Sequence, residues 1–133
     1  MPEKRLKGVP EEAVLAVARV VRGLEKRGYR VRRVYIFGSY ARGDWLKTSD
    51  VDAAIVAEGL SGTSFSARLD LVNEIVWSEK VEPYVEAFLY TPEEFEAIRE
   101  RSFALRDASK YWVQFTAEEL LKRLSAATSS EQL

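Results

Sequence analysis

Residues 38–56 read GSYARGDWLKTSDVDAAIV, and this stretch decides how the chain is interpreted. It opens with Gly38-Ser39 directly after the apolar, β-branched segment 31–37 (VRRVYIF), a pattern typical of a strand that ends in a tight turn. Glycine adopts backbone conformations closed to other residues and lets another group approach closely. If a helix begins near residue 40, its free N–H groups and the Ser39 hydroxyl would favour a phosphate. Taken alone, the same pattern indicates an ordinary strand-to-helix turn.

Two aspartates follow at the start of an apolar strand. Asp50 and Asp52 stand one residue apart at the beginning of segment 51–57 (VDAAIVA), so strand alternation sends both side chains to one face. Carboxylates whose Cα atoms are roughly 7 Å apart repel each other unless a cation or protons lie between them. A divalent ion bound between them is the simplest way to offset this repulsion. The alternative is that both aspartates are solvated residues of a turn.

The composition excludes several classes of chemistry. The chain has 133 residues, with neither cysteine nor histidine, so disulfides, thiolate nucleophiles, Cys/His zinc sites and imidazole catalysis are excluded. Any metal must bind oxygen, which favours Mg, Mn or Ca. No apolar run approaches the roughly 20 residues of a membrane span, and the charged N-terminus MPEKRLKG lacks the apolar stretch of a signal peptide. We therefore expect a cytoplasmic protein that does not enter membranes.

Periodicity and turn signals predict an α/β (α+β) protein with a small mixed β-sheet flanked by helices. We expect a single domain over residues 1–124 and a flexible C-terminal tail over 125–133, while the strand order stays open. The predicted elements, in chain order, are a helix over 10–28, a strand over 31–37, a turn-helix over 40–46, a strand over 51–57, a helix over 64–78, a strand over 81–90, a helix over 92–101, a candidate short strand over 111–115 and a helix over 117–124.

The spacing of the motifs carries a family resemblance. Gly38 and Asp50 are twelve positions apart, with Arg42-Gly43-Asp44 between them. The stretch resembles the signature of polymerase-beta-type nucleotidyltransferases, commonly GS, two residues, RG, a short spacer, then SDxD and an apolar strand. The resemblance covers 19 residues in detail and implies a polymerase-beta-like fold. In its short length the chain is similar to the minimal nucleotidyltransferase domains of archaea and bacteria.

The resemblance also implies a third carboxylate. In such proteins it is usually an aspartate about five residues before a TPEEFE-like helix start, and TPEEFE stands at 91–96 here. Glu86 is therefore the expected third ligand, with Glu82, on the same strand parity, as the substitute. Glutamate is a departure, because its extra methylene moves the carboxylate by about 1.5 Å, where a 1 Å misplacement can cost about a hundredfold in rate. Either the site is repositioned and competent, or the domain binds nucleotide and metal with poor turnover.

The metal chemistry expected here is that implied by the resemblance. Two Mg²⁺ or Mn²⁺ ions would lie between the carboxylates Asp50, Asp52 and Glu86, which are both the expected metal ligands and the expected catalytic residues. The substrate would be an NTP, ATP in first choice. Because histidine is absent, a carboxylate would accept the proton of the incoming hydroxyl, with Glu86 the first candidate and Asp52 the second.

The same resemblance assigns the nucleotide-binding residues. Gly38 and Ser39 would bind the β- and γ-phosphates through backbone N–H groups and the hydroxyl. Arg42 and Lys47 are close enough in sequence to neutralise phosphate charge, although a solvent-facing helix carries basic residues for other reasons. Asp44 is expected to cap a helix or form a salt bridge rather than to bind metal.

Charge is distributed unevenly along the chain. Residues 1–33 hold ten Lys/Arg and four Asp/Glu, whereas 74–100 hold eight Glu and two basic residues. These segments are either two solvated helix faces or surfaces that dock onto a charged partner. The formal charge of −1 for the whole chain gives no argument for generic polyanion binding.

The resemblance also concerns partners. Minimal nucleotidyltransferases are commonly paired with a small helical HEPN protein, and in some pairs they act as antitoxins that attach AMP to it. We therefore expect AMP transfer to a hydroxyl, with a HEPN protein as the partner. The alternative is a binding module that neutralises a partner by complex formation. Direct nucleic-acid binding is not expected, because the basic N-terminal helix lacks interleaved aromatic residues, and a homo-oligomer stays open.

Overall fold

The computed structural model describes residues 9–101 and 112–132, which form four strands and five helices. This architecture confirms the predicted mixed sheet flanked by helices. The MPEKRLKG terminus, Tyr111 and Leu133 lie outside the described residues. The elements are α1 (Glu11–Lys26), β1 (Arg30–Phe37), α2 (Ser39–Arg42), β2 (Val51–Glu58), α3 (Phe65–Ser78), β3 (Val85–Tyr90), α4 (Pro92–Arg101), β4 (Val113–Thr116) and α5 (Ala117–Gln132).

The sheet has the order β3-β2-β1-β4. Strand β1 runs antiparallel to both β2 and β4, and β2 runs parallel to β3. A parallel pair needs a long crossover connection, and α3 supplies it by returning the chain to the end of the sheet where β2 began. The starts of β2 and β3 therefore lie at the same end of the sheet as the end of β1.

Strand β2 is buried on both faces. Ala53 and Ile55 belong to the main core formed with α1, α3 and α5, whereas Ala54 and Val56 pack with Phe95 of α4 on the other face. A strand covered on both sides is apolar at successive positions rather than at alternate ones. This explains the continuous apolar run after Asp52.

The long helices follow the sequence pattern closely. The predicted apolar stripe of α1 is buried in the main core, and it consists of Val14, Val17, Val21 and Leu24. Both predicted capping boxes are formed, because the Thr91 N–H donates to Glu94 at 2.8 Å and the Thr116 N–H donates to Glu119 at 2.8 Å. In each box the glutamate N–H donates back to the threonine hydroxyl at 3.1 Å.

Three predicted boundaries were wrong. Helix α5 continues to Gln132 rather than ending at Leu124, and the Thr128 hydroxyl donates to the Leu124 carbonyl at 2.9 Å within it. Helix α2 is a single turn that ends at Arg42 rather than at residue 46, and Gly43 follows it in a left-handed conformation with φ 92°. Strand β3 begins at Val85 rather than at 81, because the Val81 N–H closes α3 by donating to Val76 at 3.0 Å.

The basic and acidic segments pair with each other within the chain. Glu79, after the last residue of α3, accepts from Arg22 at 2.8 Å and from Lys26 at 3.1 Å, and Glu74 lies 3.7 Å from Arg27. These contacts join α1 to α3. Some of the charged residues for which the sequence allowed a docking role therefore pack α1 against α3.

Candidate active site

Of the predicted site residues, Gly38, Asp52 and Glu86 come together where β1 ends and β2 and β3 begin. Asp52 is the register partner of Phe37 on one side and of Glu86 on the other. The three positions form one row across the sheet, and Gly38 follows Phe37 directly. The row lies on the sheet face that α4 covers further along, since Ala54, two residues after Asp52, packs with Phe95.

Asp52 and Glu86 form a close carboxyl pair. Burial raises the pKa of Asp52 to about 6, together with a hydrogen bond to Glu86 and the negative charges of Glu86 and Asp50, while Arg42 acts in the opposite direction. Two carboxyl groups in contact favour sharing a proton or binding a cation.

The glycine before α2 is required by this pair. Gly38 has φ 75° and ψ −154°, a conformation essentially restricted to glycine. A Cβ at Gly38 would clash with the Asp52 carboxylate. The turn can therefore lie against Asp52 only because residue 38 has no side chain.

The other predicted residues lie on the segments that flank the pair. Asp50 precedes β2 and acts on Asp52 through its charge. Ser39 is the first residue of α2, and Arg42, the last, forms a 3.3 Å salt bridge with Asp44. The Asp44 salt bridge is one of the two roles expected from the sequence. Lys47 is exposed on the loop between α2 and β2.

A stacked aromatic pair supports that loop. Tyr40 and Trp45 stack with ring centroids 5.1 Å apart, and Tyr40 is only 3% exposed in the main core. Burial, followed by the charges of Glu12 and Asp50, raises the pKa of Tyr40. The burial of Tyr40 in the core therefore stabilises α2, which is too short to be stable through its own hydrogen bonds.

Glu82 does not take part in the carboxyl pair. It lies before β3 and lines a separate cavity of about 580 Å³ together with Trp77 and Tyr84. The register places Glu86, not Glu82, beside Asp52. Of the two positions that the sequence offered, the structure brings only Glu86 into contact with the aspartate.

Comparison with known proteins agrees with this geometry. The sequence profile of the nucleotidyltransferase domain matches residues 17–112, which include β1, β2, β3 and every predicted site residue. The chain belongs to the nucleotidyltransferase domain family. Comparison with curated proteins gives no significant match.

Two solved structures resemble this nucleotidyltransferase domain. One, described as a candidate nucleotidyltransferase from Sulfolobus solfataricus, is 26% identical with TM-score 0.48, covering 71% of this chain and 77% of that one. The other, a toxin-antitoxin structure with AMP-PNP, is 20% identical with TM-score 0.49, covering 86% and 85%. Because both TM-scores lie below 0.5, the family assignment rests on the profile match.

The donor set of the domain suits a hard cation only in part. Asp52 and Glu86 offer carboxylate oxygens in contact, and such oxygens are the ligands that Mg²⁺ and Mn²⁺ prefer. Within residues 9–101 and 112–132, however, no group of three or more acidic side chains is arranged to hold a metal ion. The pair offers two carboxylate ligands, and Asp50, whose charge acts on Asp52, is the third predicted ligand.

Sequence reasoning missed two residues of the nucleotidyltransferase site region and one structural residue. Phe37 and Phe88 lie on the same face as the carboxyl pair, a placement that strand alternation already signals. Arg68 is 8% exposed and donates to Glu94 and to the carbonyls of Leu60, Thr63 and Leu89. No local pattern distinguishes this arginine from an exposed helix residue.

Proposed function

We propose that the domain is a metal-dependent nucleotidyltransferase that moves a nucleoside monophosphate, AMP in first choice, from an NTP to a hydroxyl. The observation that supports this most is the Asp52–Glu86 carboxyl pair beside the Gly38-Ser39 turn. The family membership of residues 17–112 supports the same class of reaction. A carboxyl pair that favours a cation, next to a turn from a strand into a helix, is what such a transfer requires.

Each residue has a proposed role. Asp50, Asp52 and Glu86 would hold two Mg²⁺ or Mn²⁺ ions, which when bound would hold the triphosphate and offset the charge developing at the α-phosphorus. Glu86 would accept the proton of the attacking hydroxyl, with Asp52 as the second candidate. The acceptor oxygen bonds to the α-phosphorus, the bond from that phosphorus to the bridging oxygen breaks, and pyrophosphate leaves with the electron pair.

The proposed phosphate contacts are individual hydrogen bonds and do not depend on a helix dipole. The helix after Gly38 has only four residues, so the donors are the backbone N–H groups of the turn and the Ser39 hydroxyl. Arg42 already acts electrostatically on Asp52, which supports a role near the phosphates. Lys47 lies on the same loop, is exposed, and would offset charge on the leaving pyrophosphate.

Label transfer from α-labelled ATP tests the proposal. With Mg²⁺ or Mn²⁺ present, we expect Asp52→Asn and Glu86→Gln each to reduce transfer by about 100-fold or more, the scale of losing a group that stabilises the transition state. Glu82→Gln removes a charge just before the same strand and should leave transfer unchanged. Equal activity of all three variants would contradict the assigned roles.

We propose a partner protein as the bearer of the hydroxyl, of the helical HEPN class that the sequence resemblance implies. Large apolar side chains are exposed at the end of the sheet that holds the carboxyl pair: Leu46 is 69% exposed, Trp77 84% and Tyr84 42%. Exposed apolar surface beside a reactive group is typical of a site that meets another protein. Mass spectrometry of the co-expressed partner should find added AMP that disappears with Asp52→Asn.

A second function, silencing a partner by binding alone, is favoured by the incomplete acidic trio among the described residues. Under this alternative the site holds nucleotide or metal without turnover. The double variant Asp50→Asn with Asp52→Asn separates the two functions in a growth assay with the partner. If the double variant neutralises the partner as well as the parent does, binding suffices; if neutralisation is lost while the complex still forms, catalysis is required.

A further inference from the structure

The loop between α2 and β2 carries two of the predicted site residues but has little buried surface. Lys47 and Asp50 both lie on it, and both are exposed. From residue 42 to residue 50, every position is exposed except Trp45 and Ser49, which are half-buried. The position of this loop therefore depends on a small number of contacts.

Trp45 makes the contact that joins the loop to the body of the protein. Its ring stacks on that of Tyr40, with centroids 5.1 Å apart and ring planes 10° apart. Tyr40 is only 3% exposed within the main core, and Trp45 packs against the same core. A stacked pair gains contact energy beyond the burial of area and restricts the orientation of both rings. Because Tyr40 directly follows Ser39, the stack also ties the loop to the turn before α2.

A closed turn connects this anchor to Asp50. The Leu46 N–H donates to the Ser49 hydroxyl at 2.8 Å, and the Ser49 N–H donates to the Leu46 carbonyl at 3.0 Å. On the other side of Asp50, the Val51 N–H donates to the Tyr84 carbonyl at 2.9 Å and so attaches the start of β2 to the segment before β3. Asp50 is thus held between the turn and the sheet.

We propose that Trp45 is a positioning residue, which through its stack on Tyr40 holds the carboxylate of Asp50 in place beside the carboxyl pair. This step rests on the proposed function, in which Asp50 is a metal ligand. The charge of Asp50 already acts on Asp52, so the two side chains are close enough to bind one group together. A misplacement of about 1 Å can cost about 100-fold in rate. Trp45 itself would touch neither substrate nor metal.

Backbone relaxation of the metal-free chain tests the anchor without any reaction. In the wild type, we expect amide order parameters of about 0.85 for residues 46–50, and in Trp45→Leu values below about 0.6, while the amides of the sheet keep theirs. Trp45→Phe retains a ring that can stack and should keep the loop ordered. Thr48→Ala, an exposed position on the same loop, is the matched control.

Label transfer from α-labelled ATP over a series of Mn²⁺ concentrations tests the effect on the site. We expect Trp45→Leu to need about 10-fold more Mn²⁺ for half-maximal transfer and to lower kcat about 10-fold, because Asp50 is no longer held near the pair. A loss of overall stability alone would not raise the Mn²⁺ requirement of the folded protein. Trp45→Phe should restore both values to within about 3-fold, since a ring again stacks on Tyr40.

The outcomes separate this inference from the proposed reaction. An ordered loop with an unchanged Mn²⁺ requirement in Trp45→Leu, or losses that Trp45→Phe does not restore, would overturn the positioning role. If Trp45→Leu does not fold, the wild-type relaxation decides: an ordered loop supports the anchor and a mobile one overturns it. Loss of loop order in Trp45→Leu, with no label transfer by the wild type even to water, would support the anchor and count against the reaction.

Discussion

Asp52 carries a charge that its surroundings disfavour. Burial, the hydrogen bond to Glu86 and neighbouring negative charge raise its pKa to about 6. Because this value lies above that of the unfolded chain, the folded state binds the proton more tightly. The ionised Asp52 side chain therefore lowers the stability of the folded protein. This loss is absent at low pH, grows as the pH rises from about 4 to about 6, and stays constant above that.

Replacing this charge should stabilise the metal-free protein. We expect Asp52→Asn to raise the free energy of unfolding by about 1 kcal/mol at pH 7.5, after allowance for solvent screening, and to have no effect below about pH 4. Urea unfolding at the two pH values measures the difference. Glu82→Gln, on an exposed carboxylate outside the pair, is the control. A stability gain that persists at low pH would contradict the electrostatic explanation.

Gly38 and Gly43 form a matched pair at the two ends of α2. Both have positive φ, but only at Gly38 would a Cβ meet the Asp52 carboxylate, while the space around Gly43 is open. We expect Gly38→Ala to reduce label transfer at least 10-fold, because it displaces Asp52. Gly43→Ala should lose some stability and keep most of the activity. Similar activity losses in the two variants would indicate that backbone strain alone matters.

Arg68 connects α3 to α4 and to β3 through the hydrogen bonds of its side chain. It links α3 to Glu94 of α4 with contacts of 2.6 and 3.0 Å and satisfies three carbonyls. We expect Arg68→Leu to destabilise the fold by about 2–4 kcal/mol, because buried acceptors lose their donor. Arg32→Leu, which breaks the exposed 2.8 Å pair with Glu58, should cost less than about 1 kcal/mol. Comparable losses in chemical denaturation would contradict this account.

The close approach of α1 to α3 depends on Gly23. A Cβ there would lie 2.5 Å from Cγ2 of Ile75. Alanine favours a helix by about 1 kcal/mol over glycine, but overpacking costs about 1–3 kcal/mol, so we expect Gly23→Ala to destabilise the protein. Combining it with Ile75→Ala should give less than the sum of the two losses. Additive losses in thermal unfolding would contradict a direct contact.

Elements were predictable where their signals are local. The α1 stripe and the boxes at Thr91 and Thr116 depend on residues three or four positions apart, and each was confirmed. The end of α5 was not predictable from a small, polar stretch, because Thr128 bonds back to Leu124 within the helix. Arg68 could not be found at all, since its partners come from distant parts of the chain.

At the scale of the whole molecule, pairing of distant strands decides the site. Motif spacing predicted Asp52 and the family resemblance predicted Glu86, and the parallel register places them side by side. The strand order, and with it the aromatic neighbours Phe37 and Phe88, depends on long-range pairing that one sequence does not reveal. Among the described residues, no helix has both the length and the apolar character to cross a membrane.

Calorimetry on the intact chain tests the central claim most directly. Titration with a nonhydrolysable ATP analogue should show binding that requires Mg²⁺ or Mn²⁺ and that is lost in Asp52→Asn, because metal and triphosphate share the carboxyl pair. Glu82→Gln should bind as the wild type does. Absence of metal-dependent binding in the wild type, or unchanged binding in Asp52→Asn, would contradict the assignment of this pair as the active site.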